Sequence, residues 1–196
     1  NLISFNGEIK LDGKNINALK RKELATKIAL MTQSSNIQFP YTIFETVALG
    51  RYAHLNSIFS RLSKKDEEVI NESLKMVGLL DIKDKLISEL SGGQLQRAGI
   101  CRSLMNDPKI IFGDEPTGAL NSKSAEEIMD LLRHINNKGT TIVLVTHDPK
   151  VASKTERIMF MSDGKIQSEL KLSKYDGKNI DERMEKILGE MKNIGI

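Results

Sequence analysis

The sequence predicts an α/β fold: a parallel-sheet core with a small antiparallel β part and an inserted α-helical lobe. Residues 110–146 follow the order strand, helix, strand, which is the pattern of two parallel neighbouring strands. Short strands beside Asp12-Gly13 and Asp163-Gly164 indicate the antiparallel part, because these residue pairs favour tight turns. Between residues 34 and 87 the apolar side chains recur at helical spacing, which indicates the lobe.

The predicted core is formed by two segments on either side of the lobe. We assign residues 1–33 and 88–166 to the core, residues 34–87 to the lobe and residues 167–196 to a C-terminal amphipathic tail. A chain of 196 residues is long enough to bury a hydrophobic core in one domain with such an insertion.

The first elements lie before the lobe. Residues 8–11 alternate polar and apolar side chains, which predicts a strand that runs into the turn at Asp12-Gly13. Residues 19–27 are helix formers. The apolar run of residues 28–31 predicts a buried strand, which ends just before Gln33.

The lobe and the segment after it are predicted to be helical. We expect one helix over residues 43–50 and a second helix that begins at Ser63 and ends near Gly78. A third helix, over residues 94–105, ends before Pro108 because the residue preceding a proline disfavours helical geometry. The second helix has one apolar face, made by Val69, Ile70, Leu74 and Val77.

The clearest pattern is the strand, helix, strand unit. The strands are predicted over residues 110–113 and 141–146, and residues 124–136 form the helix between them. Residues 142–145 are continuously apolar, as a parallel strand covered on both faces should be. Because parallel strands joined in this way are usually neighbours, we expect Glu115 and His147 to leave the sheet at the same edge. The helix has one apolar face, made by Ile128, Leu131, Leu132 and Ile135.

The C-terminal part is predicted to contain a hairpin and a helix. Residues 157–166 indicate the hairpin, with its turn at Asp163-Gly164. The helix begins after Asn179, and its predicted apolar face consists of Ile180, Met184, Ile187, Leu188 and Met191.

Composition excludes several classes of function. The net charge of +3 is too small to indicate nucleic-acid binding, and the charged and hydrophobic fractions of 28% and 39% are typical of a globular protein. The single Cys101 cannot form an internal disulfide, and we interpret it as a buried thiol. No apolar stretch is long enough to span a bilayer and no signal-peptide pattern is present, so we expect any membrane-spanning part to belong to a partner.

Two polar motifs carry the predicted chemistry. Residues 91–94 open a helix, where backbone N–H groups and the helix dipole favour an anion. Asp114 and Glu115 follow an apolar strand, where they could hold a cation and activate a water molecule. Alone, the first motif is most often a flexible cap and the second a solvated loop. Together with Gln33 and His147 at other strand ends, they favour one functional edge.

These motifs occur in an order that resembles the nucleotide-binding subunit of an ATP-binding cassette (ABC) transporter, over residues 7–166. LSGGQLQR (90–97) resembles the signature motif of that family, and IIFGDEPTGAL (110–120) resembles its Walker B motif and D-loop. VTHD (145–148) resembles the segment with its switch histidine, and MTQ (31–33) resembles its glutamine loop. The resemblance implies a P-loop NTPase (RecA-like) core, ATP hydrolysis, and ATP and Mg²⁺ at the site.

The resemblance also implies a role for each motif residue. Asp114 would hold Mg²⁺ through its water shell, Glu115 would orient and polarise the attacking water, and His147 would contact that water and the γ-phosphate. Gln33 would reach the metal or the water and report nucleotide occupancy to the lobe. In this family two subunits face head to tail, so four residues would cap the γ-phosphate held by the opposite subunit: Ser91, Gly92, Gly93 and Gln94.

Two partners are implied by the resemblance: a second copy of the ATPase, joined through ATP, and a membrane-spanning permease. The expected location is the cytoplasmic face of the cell membrane, and no nucleic acid is expected. Tyr41, Phe44 and Tyr52 follow the glutamine loop, where they would line the socket for the permease. The alternative is that these aromatic side chains form the core of the lobe.

The sequence departs from the family pattern at three points. The phosphate-binding loop GxxxxGK[ST] does not occur in it, and residues 1–4 resemble the helical turn that follows that loop. We therefore expect further residues before Asn1 in the natural protein, and we do not expect these 196 residues alone to bind ATP competently. Asn121 stands where most relatives have aspartate in the D-loop, so the sequence does not determine how the two subunits communicate. Gly113 replaces an aliphatic residue, which we interpret as a packing variant.

The transported substrate has more than one interpretation. Residues 114–125, residues 145–153 and the C-terminal helix resemble exporters of antimicrobial peptides, macrolides or lipoproteins, whereas residues 46–54 resemble importers of iron siderophores. We favour export or resistance because that resemblance covers more of the chain. A soluble ABC ATPase acting on DNA or ribosomes is a further alternative, but the long coiled-coil insertion or second cassette typical of that class does not occur in the sequence. The last alternative is a degenerate module that does not hydrolyse ATP.

Overall fold

The computed structural model describes residues 6–31, 40–54 and 61–195. The chain divides into two compact units, residues 1–144 and residues 145–196. The predicted boundaries between core, lobe and tail stay predictions. Across the described residues no helix is both long and apolar enough to cross a membrane.

The strands and helices run mostly where the sequence predicts them. The strands are β1 (Lys10–Leu11), β2 (Lys14–Asn15), β3 (Ile28–Met31), β4 (Ile110–Asp114), β5 (Thr141–Val145), β6 (Arg157–Ser162) and β7 (Lys165–Lys171). The helices are α1 (Arg21–Ala25), α2 (Ile43–Ala48), α3 (Lys64–Met76), α4 (Gly92–Leu104), α5 (Ser122–Asn137), α6 (Pro149–Ala152) and α7 (Ile180–Asn193). Short 3-10 turns cover Ile16–Ala18, Leu49–Ala53, Leu80–Ile82 and Ile87–Glu89.

A three-stranded sheet in the order β3, β4, β5 positions the acidic motif. Strands β3 and β4 are parallel, with Ile28 opposite Ile110 and Met31 opposite Gly113. The start of β5 lies beside the start of β4, because Thr141 N donates to Lys109 O at 2.9 Å. The predicted parallel βαβ unit is therefore confirmed, and Asp114 is the last residue of its central strand.

The N-terminal hairpin is attached to this sheet by one carboxylate. Strands β1 and β2 pair antiparallel around Asp12-Gly13, whose φ angles of 51° and 75° are left-handed. Asp12 Oδ2 accepts from Lys109 Nζ at 2.9 Å and from Lys27 Nζ at 3.3 Å. These two bonds lower the pKa of Asp12, and the Lys109 bond contributes most.

The helical segments share one hydrophobic core with α4. This core joins α2, α3, α4 and the turns between them, and its buried members are Ile43, Val47, Ile70, Leu74, Val77, Leu79, Ile87, Ala98, Cys101 and Met105. Phe44 packs against it, whereas Tyr41 and Tyr52 are 36% and 52% exposed. Cys101 is fully buried, and burial raises its pKa to about 12. The interpretation of Cys101 as a buried, unreactive thiol is confirmed.

A charged network holds the start of α3 against the end of α4. Asp66 Oδ2 accepts from Ser63 Oγ at 2.6 Å and from Ser63 N at 3.0 Å, which caps the helix. Asp66 Oδ1 accepts from Arg51 Nη2 at 2.6 Å, and Arg51 Nη1 donates to Met105 O. The Ser63 hydroxyl first, and Arg51 second, lower the pKa of Asp66 to about 2. Three segments of the helical core thus depend on one ionised carboxylate.

In the second unit, β6 and β7 form the predicted antiparallel hairpin and α7 follows it. Ile187 is buried, but Leu188 is 49% exposed, so its assignment to the apolar face was wrong. The buried position next to Ile187 on the helix surface belongs to Arg183, four residues earlier, which is only 6% exposed. Its long side chain is retained there because backbone carbonyls satisfy the guanidinium.

Asp66→Asn is expected to destabilise the chain in a pH-dependent way. The folded pKa of about 2 lies below the unfolded value near 3.8, so the carboxylate stabilises the fold above pH 4 and this contribution is lost as the pH falls towards 2. We expect a loss of about 1–2 kcal/mol in the free energy of unfolding at pH 7, measured by urea denaturation.

The control for this variant is Asp130→Asn. Asp130 forms an exposed pair with Arg133 at 3.0 Å, so its loss should cost less than about 0.5 kcal/mol. A destabilisation by Asp66→Asn that is the same at pH 7 and pH 2.5 would contradict the assigned role of the charge.

Candidate functional site

The N-terminus of α4 is built by a reciprocal cap between two of the predicted site residues. Ser91 Oγ accepts from Gln94 N at 3.3 Å, and Gln94 Oε1 accepts from Ser91 N at 3.0 Å. This capping box consumes acceptor atoms of both side chains. The Ser91 hydroxyl proton and the Gln94 amide group therefore remain available as donors.

Two backbone donors add to these side chains. The N–H groups of Gly92 and Gly93 are in the first turn of a 13-residue helix, where no carbonyl lies one turn earlier to accept from them. Ser91 and Gly92 are exposed, and Gly93 and Gln94 are half-buried. The helix thus presents donors and the positive end of its dipole to one side, which suits a phosphate group.

The two glycines let this turn approach the segment that follows the acidic motif. A Cβ atom on Gly93 would lie 3.1 Å from Ser124 Oγ and 3.3 Å from Ser124 Cβ. One on Gly92 would lie 3.3 Å from Leu120 Cδ2. Since Cβ contacts this short are rare, any side chain at these positions would push α4 away from the start of α5.

An ion pair links the same two helices, and a side-chain cap fixes the start of α5. Arg97 Nη1 lies 3.1 Å from Glu127 Oε2, which joins the second turn of α4 to α5. Asn121 Oδ1 accepts from Ser124 N at 2.9 Å and so caps α5. Asparagine caps a helix as well as aspartate does, so replacing the usual aspartate at this position preserves the start of α5.

The acidic motif ends β4 in an uncommon backbone conformation. Asp114 is exposed and Glu115 is half-buried. Glu115 has a φ of 44°, in the left-handed region. For a residue with a side chain this backbone conformation is less favourable by a free energy of about 1–2 kcal/mol. The chain then turns, with Gly118 N donating to Glu115 O at 3.1 Å. A strained glutamate at the end of a parallel strand is typical of a functional position.

Gly113, one residue before the acidic pair, is buried between neighbouring strands. A Cβ atom there would lie 2.6 Å from Met31 Cε and 3.0 Å from Leu144 Cδ2. These two longer side chains fill the space that an aliphatic residue at position 113 would occupy. The interpretation of Gly113 as a packing variant is therefore supported by the structure.

The donor set at the end of β4 fits Mg²⁺ only with help from a ligand. Asp114 offers the carboxylate oxygen that this cation prefers. Within the described ranges, no group of three or more His, Cys, Asp and Glu side chains could hold a metal ion by itself. A cation here would complete its coordination with water and phosphate oxygens, as Mg²⁺ does in nucleotide sites.

The sequence profile of the ABC transporter family matches residues 2–118, which is more than half of the chain. The chain belongs to the ABC transporter family. Its motifs correspond to the ATPase domain of that family, and the sequence prediction of this family is confirmed.

Two relatives illustrate the extent of the match. The chain is 43% identical to the uncharacterized ABC transporter ATP-binding protein YknY of Bacillus subtilis (strain 168), over 82% of this chain and 69% of YknY. It is 40% identical to the bacitracin export ATP-binding protein BceA of Halalkalibacterium halodurans, over 84% of this chain and 65% of BceA. The chain thus spans about two thirds of the length of these ABC proteins.

A solved ABC cassette has the same fold. The dimeric, post-hydrolysis state of MJ0796 bound to ADP and Pi superposes with a TM-score of 0.70 and 36% identity, over 87% of this chain and 75% of that chain. The predicted P-loop NTPase fold class is therefore confirmed.

The predicted site residues of this ABC chain are distributed over both units. Asp114, Glu115 and the Ser91 to Gln94 turn belong to the first unit, and the turn contacts the segment directly after Glu115. His147 is exposed, two residues beyond the end of β5, and belongs to the second unit, so its convergence with Glu115 stays a prediction. Gln33 lies outside the described residues.

Sequence reasoning missed the partners of the α4 turn. These partners are Arg97, Ser124 and Glu127, and up to 30 residues separate them along the chain. Neither alternating nor helical spacing predicts that they lie close together. One signal was available: Arg97 ends the motif LSGGQLQR, and a cation so near a predicted anion site invites a search for its carboxylate partner.

Gly93→Ala is expected to loosen the signature turn, and Gly99→Ala in the same helix is its matched control. A Cβ atom on Gly99 meets nothing within 4 Å, so alanine should stabilise α4 by about 0.5–1 kcal/mol. Alanine at Gly93 crowds Ser124 and should cost about 1 kcal/mol or more relative to the Gly99 variant. Urea denaturation measures both, and equal stabilisation by the two alanines would contradict the close approach.

Proposed function

We propose that this chain is the ATP-binding and ATP-hydrolysing part of an ABC transporter and that it drives a membrane-spanning permease. The observation that carries the proposal is the acidic pair at the end of β4, where Glu115 is held in a left-handed backbone conformation beside Asp114. Membership of the family supports it.

The proposed chemistry assigns a separate task to each residue. Glu115 accepts a hydrogen bond from the attacking water and polarises it, and His147 contacts that water and the γ-phosphate. Asp114 and Gln33 would hold a hydrated Mg²⁺, which would offset the negative charge of the ATP phosphates. The left-handed backbone at Glu115 supports this assignment, because uncommon backbone conformations of residues with a side chain cluster at functional positions.

We further propose that two ATPase subunits sandwich ATP between them. The donors of Ser91, Gly92, Gly93 and Gln94 then cap the γ-phosphate that is held by the opposite subunit. The dimeric state of MJ0796 supports a dimer for this chain as well. In such a dimer ATP stabilises the interface, and its hydrolysis releases the subunits.

The proposed partner is a permease, which places the chain at the cytoplasmic face of the cell membrane. The exposed Tyr41 and Tyr52 support a socket for that partner, whereas Phe44 packs on the helical core. Aromatic side chains of this kind are frequent anchors in protein interfaces.

For the transported substrate we propose export or resistance, with antimicrobial peptides, macrolides or lipoproteins as the candidate classes. The name of BceA, a bacitracin export protein, supports this class. Import of an iron siderophore is the second candidate, because the petrobactin import protein YclP of Bacillus subtilis (strain 168) is 39% identical over 83% of this chain and 64% of YclP.

Glu115→Gln in the natural protein is expected to abolish turnover while ATP binding is retained. The amide keeps the size of the side chain but cannot polarise the water, so hydrolysis should fall by about 10²-fold or more. The ATP-bound dimer should then persist, and size-exclusion chromatography with ATP measures it. Glu185→Gln on the exposed face of α7 is the control and should leave hydrolysis unchanged. An unchanged hydrolysis rate for Glu115→Gln would refute the assignment.

A further inference from the structure

The second unit contains a cavity that no part of the proposed ATPase mechanism uses. It has a volume of about 530 Å³ and lies between the end of β7, the segment 172–179 and the first turns of α7. Five cationic side chains and two carboxylates line it, which gives a surplus of three positive charges. A concave, polar site with an excess of one charge sign attracts ligands of the opposite sign.

Arg183 forms the buried wall of this cavity. Its guanidinium is held by neutral carbonyl oxygens: Nε donates to Ser153 O, Nη1 to Ser173 O at 2.9 Å and Nη2 to Thr155 O at 2.8 Å. Its charge also lies 5.3 Å from the centre of the Tyr175 ring. Among the described residues no carboxylate forms an ion pair with it. The carboxylate of Glu182 interacts electrostatically with Arg183 but forms its ion pair with Lys186. A buried charge without an ion-paired partner is costly, and an anion in the cavity would offset that cost.

The lysines at the rim point to the same conclusion. Lys186 is paired with Glu182 at 2.7 Å and Lys171 lies 3.5 Å from Glu169. The ammonium groups of Lys174 and Lys178 have no such carboxylate within the part of the chain that the structure describes. The nearby Asp176 is occupied in a local turn, where its Oδ1 accepts from Lys178 N at 2.9 Å. Lys174, Lys178 and Arg183 are therefore the lining cations without an ion-paired carboxylate in the described part of the chain, and the charge of Asp176 offsets one of these three.

We propose that this cavity binds a phosphate-bearing anion, with Lys174 and Lys178 contacting the phosphate at the rim and Arg183 supplying buried positive charge behind it. A phosphate group carries up to two negative charges and several acceptor oxygens, so it neutralises the surplus better than a single carboxylate does. Flexible lysine ammonium groups bind phosphate as point charges without a fixed geometry. The source of the phosphate is either a free phosphate compound or the headgroup of an anionic lipid.

The experiment uses the ¹⁵N-labelled chain and two probes. Inorganic phosphate tests the free source, and vesicles of phosphatidylcholine with phosphatidylglycerol, against phosphatidylcholine alone, test the lipid source. The proposal expects one or both anionic probes to shift the backbone amide signals of residues 173–179, with an affinity that falls as salt is added. If neither anionic probe moves these signals, the proposal is overturned.

Variants separate this site from general surface charge. Lys174→Glu with Lys178→Glu should weaken binding at these amides by about tenfold or more. The control, Lys165→Glu with Lys192→Glu, changes the net charge equally at exposed positions outside the cavity and should leave the affinity within about twofold. Equal losses in both pairs would overturn the proposal. Both pairs lie outside the proposed ATPase machinery, so ATP hydrolysis by the natural protein should stay unchanged.

Discussion

The close approach of the first turn of α4 to the start of α5 is the constraint on which the arrangement of the site depends. Gly92 and Gly93 permit it, since a Cβ atom at either position would meet Leu120 or Ser124 within 3.3 Å. The Arg97–Glu127 ion pair holds the two helices in this position. The acidic motif on β4 and the donor-rich turn of α4 are therefore connected through one short segment, residues 116–124.

This connection has a consequence for function. The capping box fixes Ser91 and Gln94 without using their donors, which supports the proposal that the α4 turn binds a phosphate. Glu115 directly follows β4 and has a left-handed backbone conformation. In the proposed dimer the two motifs serve different nucleotides.

Local sequence patterns predicted most helices and strands. They failed where contacts between distant parts of the chain determine which side chain is buried. Strand β3 and the cap of α3 by Ser63 follow from an apolar run and a capping residue. Leu188 was misplaced because an apolar pattern cannot show that the buried position beside Ile187 belongs to Arg183, which depends on carbonyl oxygens from distant turns. For the site, the sequence was enough to select Asp114, Glu115 and Ser91 as functional residues by their chemistry. The strained φ of Glu115 and the Arg97–Glu127 ion pair could be seen only in the folded structure.

The claim that Ser91 and Glu115 of one subunit serve different nucleotides can be tested by mixing inactive subunits. A Ser91→Arg variant and a Glu115→Gln variant of the natural protein are each prepared as inactive dimers and then mixed. If Ser91 acts on the opposite subunit's ATP, both defects in a mixed dimer fall at one site and the other site is intact, so the mixture recovers ATP hydrolysis. If both residues serve the same subunit's ATP, each site carries one defect and the mixture stays inactive, which would contradict the account.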